Sequence, residues 1–354
     1  MKKNTQRMWN TSARLKLKLR PHIEAHKTRE GALLQTGGVA RCIAVSTLSE
    51  AEFYASHGFD DILLAHPISE NKVQRCLALM KTMDQFHVLV TGPEGLTTLR
   101  DHCLNLTKPK KWSVVLGVDS GHGNAGFDIS SQDVIDAALR IKEASYMTLA
   151  AVYCHLGDMY SSVTKEEGEA HQCKTIDSLC ALKTKFEEAG LKCPFNIGSS
   201  LTWNSLVDNE VLFSEFSTGN YIFYDYQLYL SNACRESDIA GRIMTRVVAH
   251  KPEANMILVD CGSAALSHDG MIQRLPSADF CLIQGESNLK MVGMSPELGK
   301  IVAKEGKLDC SQYPIGTILF IYPFNSCATA AMHHVYYVHS EDQIVAKWTP
   351  VRGW

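Results

Sequence analysis

From residue 14 to residue 217 the chain alternates short apolar runs with stretches whose apolar positions recur at helical spacing. Arg14 to Lys27 opens the series as a strand. Thr28 to Leu34 follows as a short helix ended by Gly37-Gly38. Apolar runs over 41–47, 61–67, 86–91, 111–119, 147–155, 193–199 and 212–217 predict seven more strands. Helical patterns over 49–55, 69–83, 93–105, 132–144 and 165–190 separate most of them. The runs are apolar on both parities, as expected of strands covered on both faces. Eight such alternations predict a closed (β/α)8 TIM barrel, in preference to an open doubly wound sheet.

Near residue 235 the rhythm changes. Runs over 242–250, 256–260, 317–322, 334–339 and 343–348 predict strands with turns and no helical spacers between them. The expected organisation is a barrel domain over 1–235 and a β-rich domain over 236–354.

Composition narrows the class. The chain has 354 residues, 45% hydrophobic and 21% charged, with a net charge of -3. That balance gives no basic surface for nucleic acid. Twelve cysteines without a C-x-x-C pair read as reduced thiols, so a cytoplasmic location is expected. The opening MKKNTQRMWN has no apolar core of a signal peptide, and no apolar run is long enough to span a membrane.

The candidate chemistry sits at predicted strand ends, where barrels of this kind place their active sites. Strand alternation puts His22, Glu24 and His26 on one face and Lys27 on the other. Tyr153-Cys-His155 ends another strand, with Gly157 and Tyr160 just beyond. Asn196 to Thr202 offers glycine and hydroxyl groups that suit either a phosphate or a helix cap. Glu215 to Asp225 is dense in polar and aromatic residues and suits a ligand contact, an inter-domain connection, or both. The string Gly121-His-Gly-Asn-Ala-Gly126 has the form of a dinucleotide loop. Because no helix opens on it, a plain glycine-rich turn is the better reading. Asn325 and Cys327 make a poor zinc pair by ligand chemistry.

Taken in order, these stretches resemble the eukaryotic-type D-serine dehydratases, relatives of D-threonine aldolases and more distantly of alanine racemases. The likeness rests on Leu19 to Thr28, Leu34 to Gly38, Ile43 to Leu48, Asp61 to Ala65, Tyr153 to Tyr160 and Ile197 to Ser200. It continues through Gly219 to Asp225, Thr245 to Val247, Asp260 to Gly262, Pro323 to Cys327 and Arg352 to Trp354. The resemblance implies a pyridoxal-phosphate enzyme of fold type III, dependent on zinc in its dehydratase branch. It implies cofactor binding by Tyr153, Ser199, Ser200, Gly219, Asn220 and Tyr221, with His155 and Tyr160 beside the reacting centre. It also implies a homodimer, and an N-terminus shorter than the family's by one strand.

Several positions depart from the family pattern. Glu24 stands where the family carries its Schiff-base lysine, and a carboxylate cannot form an imine. Asn124 replaces a loop arginine, Leu298 a histidine, and Asn325 the zinc histidine that would pair with Cys327. The expectation from these changes is a divergent family member without lyase activity that keeps a cup for a phosphorylated ligand or an amino acid. The alternative is an active D-serine ammonia-lyase or D-threonine aldolase.

Overall fold

The computed structural model describes residues 1–106, 110–156, 165–198, 213–268, 279–341 and 343–354, with side chains of 165–169 excepted. Eight parallel strands form the first sheet: β1 (Lys18–Pro21), β2 (Ile43–Val45), β3 (Asp61–Pro67), β4 (Gln85–Val90), β5 (Trp112–Asp119), β7 (Met147–His155), β8 (Phe195–Gly198) and β9 (Glu215–Thr218). The two-residue β6 (Phe127–Asp128) pairs with β5 off this path. Strand order runs β1-β9-β8-β7-β5-β4-β3-β2. A parallel bridge between His22 and Ala44 then brings β1 back to β2, with the Ile23 N–H donating to the Ala44 carbonyl at 2.9 Å. The predicted barrel is therefore present.

Two barrel helices open on threonine caps that the sequence supplies. The Thr28 hydroxyl accepts from the Gly31 N–H to open α2 (Arg29–Gln35), and Thr47 accepts from Glu50 to open α3 (Leu48–Ser56). Outside the strands, buried Tyr54, Leu96, Leu99 and Phe186 belong to one continuous core with Trp112 of β5. The barrel interior is layered. Ala44, Leu63, Leu89, Val115 and Ala151 form an apolar layer. Nearer the strand starts lies a polar one, in which Arg20 pairs with Asp61 and Glu215 at 2.7 Å each. Asn196 donates to Glu215, and His87 bonds Ser113.

The first helix, α1 (Lys2–Leu15), extends further than the sequence suggests, and β1 is correspondingly short. The chain turns immediately after His22, so the strand alternation expected for His22, Glu24 and His26 fails there. His26 is fully buried behind the mouth and not displayed in it.

The C-terminal domain is β-rich, as expected. A six-stranded sheet and a separate hairpin of Tyr336–Ser340 with Gln343–Trp348 make it up. Three strands of the sheet, Cys281–Ile283, Leu289–Met294 and Gly299–Ala303, were not anticipated by pattern. Its own core centres on Val247, Ile257, Val259, Met291, Ile301 and Ile321. The helix Ser326–Ala331 packs Cys327 and Ala330 against Ala25, Ile222 and Phe223 of the barrel.

Candidate active site

The ends of β1, β7, β8 and β9 converge on one mouth. His155 and Tyr153 face inward from β7, with the Tyr153 hydroxyl 3.2 Å from His155 Nδ1. This pairing needs Gly198 on the adjacent strand: a Cβ there would sit 2.0 Å from the Tyr153 oxygen. Burial lowers the pKa of His155, so the imidazole is kept neutral; the charge of Glu24 opposes that shift and His22 adds to it. Both groups therefore act on His155 through space. Glu24 is more than a third exposed, with an oxygen 3.7 Å from His22 Nδ1. The Glu24 N–H also points at that nitrogen, at 3.4 Å.

Behind this mouth runs a buried chain of hydrogen bonds. His26 Nδ1 receives the Thr28 N–H at 3.0 Å, which leaves its Nε2 as the N–H donor to Gln35 Oε1 at 2.8 Å. Gln35 in turn donates to the Gly219 carbonyl at 3.2 Å. Burial lowers the His26 pKa to about 4, consistent with that neutral tautomer. The next residues, Asn220 and Tyr221, are buried too. Asn220 donates to Asp225 at 2.6 Å and accepts from the Ser326 hydroxyl, tying the barrel to the C-terminal domain. The Ser217 hydroxyl on β9 is buried without a hydrogen-bond partner among the described residues. A buried hydroxyl in that state is available to a water or a ligand. The sequence flagged the segments that hold Ser217, Gln35 and Asp225, but not these three side chains individually.

Lys27 is engaged with α3. Its backbone is left-handed, with φ 53°, and its ammonium sits 2.5 Å from the carboxylate of Glu50 on α3. Asn325 also has a different job from the one its alignment implies. Its side chain caps Ser326–Ala331, accepting from the N–H groups of Cys327 and Ala328. Burial, and then Glu24, push the Cys327 thiol well above its ordinary pKa. Among the described residues no group of three or more His, Cys, Asp or Glu is placed to hold a metal. Tyr160, Ser199 and Ser200 lie outside the described residues.

A barrel whose strand ends carry this mouth, capped by a β-rich domain, defines the architecture of the alanine racemase-like enzymes. Residues 1–223 match the family described as alanine racemase, N-terminal domain, and residues 240–339 match the putative serine dehydratase domain. The chain is 31% identical to a D-serine dehydratase of Dictyostelium discoideum, across 100% of this chain and 94% of that protein. The crystallised D-threo-3-hydroxyaspartate dehydratase from Delftia sp. HT23 superposes with a TM-score of 0.89 at 25% identity, covering 100% of this chain and 95% of that one. D-threonine aldolase from Filomicrobium marinum shares the fold, with a TM-score of 0.85 at 18% identity, over 99% of this chain and 91% of that one. The chain belongs to the fold type III, pyridoxal-phosphate-dependent family of D-serine dehydratases and related aldolases.

These relationships overturn one expectation from the sequence. The substitutions at positions 24, 124, 298 and 325 pointed to a protein without lyase activity. Likeness to D-serine and hydroxyaspartate dehydratases along the whole chain supports an active lyase instead. The expectation rested on four substituted positions taken together, whereas the relatives match the chain along its whole length.

The residues fit the family's groups unevenly. The Ser217 and Tyr221 hydroxyls are buried without a partner among the described residues and suit a polar ligand, whereas the Asn220 amide is already committed to Asp225 and Ser326. Covalent attachment does not fit, because no described lysine amine stands in the mouth and Lys27 is held by Glu50. Zinc does not fit either, since the Asn325 oxygen is committed to two backbone N–H groups. No helix is long and apolar enough to cross a membrane among the described residues.

Proposed function

We propose that this protein is a lyase of small D-3-hydroxy amino acids, converting D-serine to pyruvate and ammonia. The observation that carries the reading is the 31% identity to a D-serine dehydratase over the full chain. The chemistry requires a base for the Cα proton, a donor for the departing β-hydroxyl and an enclosed cup.

His155 is the base in this reading. Its imidazole is neutral near pH 7 because burial disfavours its charged form. Tyr153 orients the ring through Nδ1, leaving Nε2 for the substrate. His22 and Glu24, together at the rim, hold and return the proton. The family resemblance assigns Tyr153, Gly219, Asn220 and Tyr221 to the cofactor, together with Ser199, Ser200 and Tyr160, which lie outside the described residues. Glu24 itself occupies the rim of the first strand and takes a polar role there.

The reading divides the chain into a barrel domain over 1–235 and a β-rich domain over 236–354. It includes a cytoplasmic homodimer. Exposed Met244 and Val248 on one strand of the C-terminal sheet and Ile318 on its partner strand support such a contact.

A substrate panel tests the assignment. With pyridoxal phosphate supplied, D-serine is expected to yield pyruvate, and L-serine is expected to yield none. Glycine and acetaldehyde from D-threonine, without pyruvate from D-serine, would reassign the protein to aldol cleavage.

A further inference from the structure

The proposed lyase reading leaves one chemical conflict, which rests on that reading and deepens it. A carbonyl cofactor is expected in a mouth that presents a carboxylate and two imidazoles but no described amine. Lys27 is the nearest lysine in sequence, and it is immobilised from both ends. Its ammonium is paired with Glu50, whose side chain is 1% exposed. That carboxylate also takes the Ser46 N–H and the Thr47 hydroxyl. Withdrawing Lys27 would strand a buried charge, a change proteins resist strongly. The Lys27 carbonyl is meanwhile held by the Val351 N–H at 2.8 Å, which fixes the backbone.

Glu24 occupies the mouth instead. It stands beside His22, acts electrostatically on His155 from β7, and also acts on Cys327 from the C-terminal domain. The geometry that places it is local: its carboxylate lies 3.7 Å from His22 Nδ1, and its own N–H points at the same nitrogen. Its carboxylate is more than a third exposed, and among the described residues its ion pair is with His22. On β9, the Ser217 hydroxyl is buried without a partner among the described residues.

We infer that this chain holds pyridoxal phosphate without a covalent bond to any of its lysines, with Glu24 facing the cofactor's carbonyl. Affinity would then come from non-covalent contacts alone.

The test uses the full chain with pyridoxal 5′-phosphate. Saturable binding is followed by cofactor fluorescence, and the complex is then treated with borohydride and analysed by intact mass and peptide mapping. The expected result is saturable binding, full recovery of cofactor on denaturation, and less than a tenth of the chains labelled. The variant Glu24→Lys is expected to be labelled at residue 24 in nearly every chain. Stoichiometric labelling of wild type at Lys27 or another lysine would overturn the inference, as would the absence of saturable binding. A folded Glu24→Lys that binds the cofactor but remains unlabelled at residue 24 would overturn the placement. If that variant does not fold by circular dichroism, wild-type binding and labelling decide the question alone. Pyruvate formation is scored separately: cofactor bound non-covalently without turnover refutes the lyase reading alone, and turnover with a labelled lysine refutes this inference alone.

Discussion

Acidification should weaken the protein through His26. The imidazole is fully buried, and its two nitrogens are committed as one acceptor from Thr28 N–H and one donor to Gln35. A second proton would set an N–H against an N–H. Only a glycine at position 31 leaves room for this ring, since a Cβ there would lie 2.3 Å from Nδ1. The folded pKa is about 4 against an ordinary 6.5. Because the folded value is the lower one, the unfolded chain carries the extra proton between them, and stability falls as pH drops through that window. At about 1.4 kcal/mol per unit, 6.5 to 4 amounts to about 3.5 kcal/mol in full, of which about 3 kcal/mol is lost by pH 4, where the folded ring is half protonated. The assay is urea denaturation of wild type and His26→Asn at matched pH values. Above pH 7 the variant is expected to be the less stable. Its deficit should shrink by about 3 kcal/mol towards pH 4, since the variant lacks the titrating ring. A deficit that stays constant from pH 7 to pH 4 would refute the argument.

Three further perturbations probe other parts of the account. Arg20→Ala removes the cation shared by Asp61 and Glu215, so a loss of about 3–5 kcal/mol is expected in thermal or urea unfolding. Asp225→Ala leaves the N–H groups of Leu228 and Ser326 and the Asn220 amide without their acceptor, and should cost about 3 kcal/mol in the same assay. His155→Gln should lower kcat on D-serine by about 10²–10⁴-fold with a smaller change in KM, read from initial rates. In wild type the acidic limb of the rate profile should fall below the ordinary histidine value of 6.5, because burial depresses the His155 pKa.

The barrel could be read from the sequence because strands covered on both faces must be apolar on both parities, and Ile62 to Leu64 or Val114 to Leu116 show that directly. The interior polar layer could not. Arg20, Asp61 and Glu215 look like surface charges in isolation, and only closure of the barrel brings three different strands together around them. Strand parity misplaced His26 because it assumes an extended backbone, whereas residues 24–26 form a turn. In the C-terminal domain, Leu289–Met294 and Gly299–Ala303 were missed because lysine and glycine interrupt short runs whose inner positions are Met291 and Ile301. The mouth was legible where a residue type is chemically distinctive, as with His155 and Glu24. It was not where a common residue acquires its role from burial, as with Gln35 and Ser217.

The most direct measurement is product stoichiometry from D-serine with the purified chain saturated in pyridoxal phosphate. The account requires pyruvate and ammonia in equal amounts, from the D enantiomer only, at a rate well above that of the cofactor alone. Pyruvate no faster than the cofactor-only blank, from a folded chain with its cup filled, would contradict it.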